Sequence, residues 1–212
     1  MYTLYYSPGT ASLAVHWMLI ELGVPFELAL TDIKAGAQKS PAYLRLNPTG
    51  HVPALVIDGT AYAECAALLM LLAERHPEAH FAPLPNSPER AAFVQTMFYL
   101  ANTLMPAFRA FFYTDEIAGP RNTEAVIEHA TRKIEAVWDR IDTQLADGRT
   151  FLVGEQMTAA DFLATMLTRW SRAMPKPATT WPHLSAYVNR MRAHQSLREV
   201  HAREGLTDWI NG

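Results

Sequence analysis

The chain changes its grammar near residue 80. Before that point short β-patterned and α-patterned segments alternate; beyond the prolines Pro77, Pro83, Pro85 and Pro88 no segment reads as a strand. The break predicts an α/β first half joined through a proline-rich linker to an all-α second half.

In the first half, Tyr2 to Tyr6 reads as a strand that stops at Ser7-Pro8-Gly9. Ala14, Val15, Met18, Leu19 and Leu22 then repeat at helical spacing, and Gly23 with Pro25 ends that helix. Phe26 to Leu30 is a second strand, followed by a polar loop with Lys34, Gly36 and Lys39. Ser40-Pro41 opens a short helix carrying Tyr43, Leu44 and Leu46. Two further strands, Ala54–Ile57 and Ala61–Ala63, flank Asp58-Gly59, a strong hairpin signal. Glu64 to His76 is helical by pattern, so the order is β-α-β, α, β-β-α. In the second half Phe93, Met97, Leu100, Leu104 and Phe108 form one apolar stripe, which Pro106 is expected to kink. Ile127, Ala130, Ile134, Val137, Ile141 and Leu145 form another. Thr158 and Asp161 have capping-box spacing, with Met157 and Phe162 placed as its hydrophobic staple. Trp181-Pro182 starts a last clear helix, with Leu184, Tyr187, Val188 and Met191 on one face.

Composition removes several function classes. Lys+Arg number 18 against 21 Asp+Glu, a net charge of −3, and no basic run appears, which argues against nucleic acid or an anionic membrane as partner. A single cysteine, Cys65, leaves no disulfide framework and no Cys-rich metal site, and points to a reducing compartment. The first Lys or Arg is Lys34, so no basic region precedes the apolar start as a secretory signal requires. No stretch is a membrane span. The eight histidines are scattered without metal-ligand spacing.

Three places in the first half carry chemistry. The turn Tyr6-Ser7-Pro8-Gly9-Thr10-Ala11-Ser12 runs into a helix N-terminus, where unpaired N–H groups and partial positive charge stabilise an anion such as a thiolate. Thr10 or Ser12 as a plain helix cap is the competing reading. Gly50-His51-Val52-Pro53-Ala54 puts a proline at a strand start; with Val52-Pro53 cis, the Val52 backbone is open to a peptide-like ligand, and with it trans this is an ordinary loop. Glu64-Cys65 lies at a helix start whose N–H groups suit a carboxylate while Glu64 suits an ammonium; alternatively Glu64 only complements the helix dipole.

Taken in that order, these stretches resemble the cytosolic glutathione transferases, closest to the bacterial beta-class-like members. The resemblance rests on Tyr5-Tyr6-Ser7-Pro8-Gly9, on Asn47-Pro48-Thr49-Gly50-His51-Val52-Pro53-Ala54-Leu55, on Glu64-Cys65 and on the Thr158–Asp161 box. It covers essentially the whole chain, and the Asn-Pro to Ala-Leu stretch is its most specific part. It implies a thioredoxin-like βαβαββα domain over residues 1–80, a linker over 81–88 and an all-helical C-terminal domain over 89–212. It also implies a cytoplasmic homodimer in detoxification, with glutathione as cosubstrate and no metal. By the same resemblance Val52 pairs with the cysteinyl backbone of glutathione and Pro53 is cis. Glu64 and Cys65 hold the γ-glutamyl end, and Lys34 and His51 lie near the glycyl carboxylate.

Two positions depart from the family pattern. Ala11 stands where beta-class relatives have cysteine, which removes a thiol for mixed-disulfide chemistry; Met105 aligns where they place a histidine. The hydroxyls left to donate to the sulfur are Ser12, the first choice at the helix start, then Thr10, then Tyr6. A free thiol of the cysteine type titrates near about 8.5, so lowering it by about one to two units, about 1.4–2.7 kcal/mol, makes most of it thiolate at neutral pH. The expected activity is conjugation of that thiolate to a hydrophobic electrophile, with Met105, Phe108, Phe112, Tyr113 and Trp170 as the candidate wall. The same scaffold also supports isomerisation, disulfide reduction with two glutathiones, or non-catalytic binding of glutathione or a protein.

Overall fold

The computed structural model describes residues 1–119 and 123–210. The chain divides into two compact units, one made of Met1–Ala82 with Met191–Gly212 and the other of Pro83–Arg190.

The first unit begins with β1 (Tyr2–Tyr6), α1 (Ser12–Glu21), β2 (Phe26–Leu30), α2 (Pro41–Leu44), β3 (Ala54–Ile57), β4 (Thr60–Ala63) and α3 (Cys65–Arg75). The strands lie in the order β2-β1-β3-β4, with β1 parallel to β2 and antiparallel to β3, and β3 antiparallel to β4. The parallel pair needs a crossover, which α1 supplies. The β3–β4 hairpin turns at Asp58 (φ 49°) and Gly59 (φ 87°), the two left-handed residues that an Asp-Gly turn provides. β4 starts one residue earlier than the pattern suggests.

One sheet end gathers the loops of interest. Tyr5 pairs with Ala54 and Ala54 with Ala63, while Tyr6 pairs with Leu30. The exit of β1, the exit of β2, the entry of β3 and the exit of β4 therefore share one edge of the sheet. Ser7–Ser12, the loop with Lys34, His51–Pro53 and Glu64–Cys65 all emerge there.

The second unit is helical: α4 (Glu89–Tyr99), α5 (Met105–Phe112), α6 (Asp115–Ala118), α7 (Thr123–Leu145), α8 (Ala159–Trp170) and most of α9 (Pro182–Arg192). A π-turn over Leu100–Leu104 joins α4 to α5. Pro106 explains it: the ring removes the N–H that would bond back into the preceding turn, and the helix widens there instead of breaking. α7 buries Ala130, Ile134, Val137, Trp138, Ile141 and Leu145, whereas Ile127 of the expected stripe is exposed. At the start of α8 the Asp161 carboxylate accepts from the Thr158 N–H (2.8 Å) and hydroxyl (3.1 Å), and Met157 and Phe162 are both buried.

The last helix, α10 (Gln195–Arg203), belongs to the first unit and packs on α1, although the proline-based boundary leaves it in the helical half. This is why α1 buries every residue from Ser12 to Leu19, not one stripe. The indole N–H of Trp17 donates to the Ser196 hydroxyl at 2.8 Å across that contact. Each fully buried Leu, Val or Met contributes about 1.5–3 kcal/mol of transfer free energy, so α1 is the centre of this unit's core.

Candidate active site

The turn before α1 is closed by hydroxyls. Ser7 is buried, and its carbonyl accepts from Thr10 Oγ1 (2.7 Å) and from Ser12 Oγ (3.1 Å). Ser12 Oγ also accepts from the Ser7 N–H at 3.2 Å and lies 2.9 Å from Thr10 Oγ1. Ser12 is fully buried, whereas Thr10 is half-buried. Ser12 thus has its contacts inside the turn, and Thr10 is the more exposed of the two hydroxyls. Tyr6 is half-buried with its ring edge-on to His16 at 5.7 Å, so it faces the body of α1. Ala11 occupies the N-cap of α1 and gives no side-chain cap; the Ser12 N–H reaches only Thr10 Oγ1, at a long 3.5 Å, and the Leu13 N–H bonds the Thr10 carbonyl at 3.0 Å, so the opening keeps much of its electrostatic field.

Before β3, the Val52–Pro53 peptide is cis, as the resemblance implies. The preceding carbonyl, that of His51, is held by the Tyr43 hydroxyl and the Asn47 side-chain amide, each at 2.7 Å. Burial pushes the Tyr43 phenol up to about 12, so it stays protonated and donates. In sequence Tyr43 shows only as an apolar residue of α2; its hydroxyl takes this role through the fold. Val52 itself is half-buried, and among the described hydrogen bonds its N–H and C=O have no partner within the chain. Gly50 sits at φ 65°, which strains any side chain, and a Cβ there would push on Lys39 Nζ at 2.7 Å and the Gln38 carbonyl at 3.2 Å, so glycine is favoured. Lys39 Nζ reaches the Thr49 carbonyl at 3.4 Å, which sets a cation beside this loop that the sequence reading left unassigned. Lys34 and His51 are both exposed.

At the start of α3, Glu64 has φ 70° and ψ 104°, a backbone conformation that a non-glycine residue adopts at a cost of about 1–3 kcal/mol. Its side chain is exposed. Cys65 is buried, its S–H donates to the Ala11 carbonyl at 3.2 Å, and desolvation pushes the thiol up to about 12. That contact brings the openings of α1 and α3 together. Among the described residues no group of three His, Cys, Asp or Glu side chains could hold a metal ion, and no helix is long and apolar enough to cross a membrane.

In the helical unit, α5 and α8 carry an aromatic cluster. Phe108 stacks on Phe112 at 5.9 Å and meets Trp170 edge-on at 5.7 Å and Trp138 at 6.2 Å. Phe108 is fully buried beneath these rings, the least accessible of the five residues expected to form an apolar wall. Phe112 and Tyr113 are exposed, and Met105 and Trp170 half-buried. Arg109 lies over the Tyr113 ring at 4.2 Å and pairs with Glu116.

A buried hydroxyl turn at the mouth of α1, a cis-proline strand entry and a strained acidic residue opening α3, all at one sheet end, are matched by family comparison. Residues 10–75 match the model "Glutathione S-transferase, N-terminal domain" and residues 100–195 the model "Glutathione S-transferase, C-terminal domain". A curated relative, "Glutathione S-transferase GST-4.5" of Xanthomonas campestris pv. campestris, is 33% identical over 96% of this chain and 98% of its own. The chain belongs to the glutathione S-transferase family. Among solved structures, this transferase is similar to a glutathione transferase homologue from Sulfitobacter with bound glutathione (TM-score 0.87, 28% identity, 96% and 98% of the two chains). It is also similar to the bacterial beta-class glutathione S-transferase of Sphingomonas chungbukensis (TM-score 0.84, 26% identity, 97% and 100% of the two chains). The fold is the thioredoxin-like α/β domain with a helical domain, and the chain is a glutathione S-transferase enzyme.

Proposed function

We propose that this transferase conjugates glutathione to hydrophobic electrophiles and that Thr10 is the hydroxyl that holds the thiolate. The observation that carries the reading is the division of labour between Thr10 and Ser12. Both hydroxyls donate to the Ser7 carbonyl, but Ser12 also takes the Ser7 N–H and is fully buried, while Thr10 is the half-exposed one at the start of α1, able to turn its hydroxyl to a ligand. Two effects then favour the anion: a hydroxyl hydrogen bond to a charged sulfur and the partial positive charge of a ten-residue helix.

The remaining ligand contacts are assigned to the loops at the same sheet end. The Val52 N–H and C=O pair with the cysteinyl backbone of glutathione beside cis Pro53. The N–H groups of Cys65 and Ala66 take the γ-glutamyl carboxylate, and the exposed Glu64 carboxylate takes its ammonium. Lys34 and His51 serve the glycyl carboxylate. The apolar acceptor is offered the rings of Phe112, Tyr113 and Trp170 together with Met105. Glutathione bound in the Sulfitobacter homologue supports glutathione as the ligand here. The protein acts as a cytoplasmic homodimer in this reading, which molar-mass measurement by light scattering and fractionation of the native cell test.

Disulfide reduction through a protein thiol is disfavoured, because Ala11 has no sulfur and the Cys65 thiol is buried and protonated. Any reductase turnover would have to use two glutathiones. The test is titration of the thiolate absorbance of bound glutathione in the native protein, in Thr10→Ala and in Tyr6→Phe, beside turnover of an aryl halide and of a mixed glutathione disulfide. A bound thiol titrating at least about one unit below the free one, raised in Thr10→Ala and not in Tyr6→Phe, supports the proposal. A thiol unshifted in the native protein leaves binding alone, and disulfide turnover without aryl halide turnover makes the enzyme a reductase.

A further inference from the structure

Behind the hydroxyl turn lies a buried acid–base pair that the chemistry above does not use. His16, in the second turn of α1, sets Nδ1 2.8 Å from Glu204 Oε1, and both side chains are fully buried. Glu204 is the C-cap of α10, 188 residues further along the chain. Its other oxygen, Oε2, accepts the Gly9 N–H at 2.8 Å. Tyr6 and Phe26 wall the imidazole edge-on at 5.7 and 5.6 Å, and Nε2 is buried with no hydrogen-bond partner. Nδ1 therefore carries a proton toward the carboxylate, and the neutral ring leaves only a bare lone pair at Nε2, which costs less than an orphaned N–H.

A buried carboxylate is a poor device for stability alone. Its desolvation cancels most of the Coulombic gain, and well-packed apolar side chains serve a core as well or better. What the pair achieves that an apolar contact would not is a fixed acceptor for one N–H of the turn. Gly9, at φ 70°, immediately precedes Thr10, and the Thr10 N–H closes back on the Ser7 carbonyl at 3.3 Å. Held at Gly9 from behind and at Ser7 from within, the turn has little freedom to swing the Thr10 hydroxyl.

We propose that Glu204, oriented by His16, is a positioning residue: it clamps the Gly9 N–H and thereby aims Thr10 at the glutathione sulfur, so the returning C-terminal helix takes part in the reaction. The inference rests on the Thr10 reading above and deepens it. The ligand's peptide contacts, at Val52, Glu64 and Cys65, lie on other loops, so loss of the clamp acts on the sulfur and not on binding.

The test is the thiol pKa of bound glutathione, with kcat and the glutathione KM, in the native enzyme and in Glu204→Ala, Glu204→Asp and Glu204→Gln. Glu204→Ala is expected to raise the bound thiol by about one unit and lower kcat about tenfold at neutral pH, with KM changed by less than about twofold. Glu204→Gln can still accept from Gly9 through its carbonyl while its amide donates to an Nε2-protonated His16; it loses stability to the buried unpaired Nε2–H but keeps the clamp, and so retains the native thiol pKa. Glu204→Asp keeps the charge on a shorter arm that cannot span both contacts, and its thiol pKa rises as well; it carries the test if Glu204→Ala does not fold. A native thiol at the free value overturns the Thr10 reading and this inference with it. A depressed native value left in place by Glu204→Ala and Glu204→Asp overturns this inference alone, as does a Glu204→Gln enzyme no better than Glu204→Ala.

Discussion

Two helix openings in this molecule solve the same problem in opposite ways. At α8 the orphaned groups are closed: the Asp161 carboxylate is fully buried and accepts from the Leu152 N–H (3.0 Å), the Thr158 N–H (2.8 Å) and hydroxyl (3.1 Å), and the Tyr187 hydroxyl (3.0 Å). At α1 the N-cap is Ala11, which has no side chain to give; the neighbouring hydroxyls of Thr10 and Ser12 donate to the Ser7 carbonyl upstream of the helix, and only a long 3.5 Å contact runs from the Ser12 N–H to Thr10 Oγ1. A closed opening spends its electrostatic field on its own cap. An open one keeps the field for a ligand. The difference teaches where this fold puts stability and where it keeps chemistry.

The sharpest way to break the comparison is to open the closed end. Asp161→Ala leaves two buried backbone N–H groups and two hydroxyls without their acceptor, and it is expected to cost about 2–4 kcal/mol in denaturant unfolding. That exceeds the about 0.5–2 kcal/mol of an ordinary exposed cap, because here the carboxylate also ties down Leu152 and Tyr187. The thiol pKa of bound glutathione should not move in that variant; if it does, the two openings are coupled and the contrast fails.

The reverse perturbation is Thr10→Ala. It is expected to raise the bound thiol by about one unit, reducing the thiolate near neutral pH about tenfold, while unfolding free energy changes by less than about 1 kcal/mol. Ser12→Ala should invert that pattern. It removes a buried hydroxyl that closes the turn and costs about 1 kcal/mol of stability, with a smaller shift of the thiol. Equal thiol shifts in the two variants would make the hydroxyls interchangeable donors and erase the division between them.

The smallest effect concerns Cys65. Burial raises its thiol above the ordinary cysteine range to about 12, so it stays protonated at neutral and mildly alkaline pH and forms thiolate only near that value. The folded protein should resist alkylation there until denaturant opens it, and Cys65→Ser, whose hydroxyl can still donate to the Ala11 carbonyl, should keep activity within about twofold. Rapid labelling of the native protein would place this sulfur in the open site and reopen the reductase reading.

Local pattern carried the first half of the fold almost to the residue. The strands Tyr2–Tyr6, Phe26–Leu30 and Ala54–Ile57 stand where alternation and turn residues put them, and Thr158 with Asp161 forms its box because cap chemistry spans four residues. What sequence could not show is what touches across long separations. The return of α10 onto α1, the pairing of His16 with Glu204, and the burial of Ser12 and Phe108 all depend on packing between distant segments. The order of the hydroxyls illustrates the limit. Thr10 and Ser12 are alike in chemistry and both donate to the Ser7 carbonyl, and only their burial in the folded chain separates them.

A crystal structure of this enzyme with glutathione tests the central claim most directly. The account predicts the sulfur within hydrogen-bonding reach of Thr10 Oγ1 at the uncapped start of α1, with Ser12 still bonded to Ser7. A sulfur turned away from that opening, or a tripeptide lodged elsewhere on the chain, would contradict it.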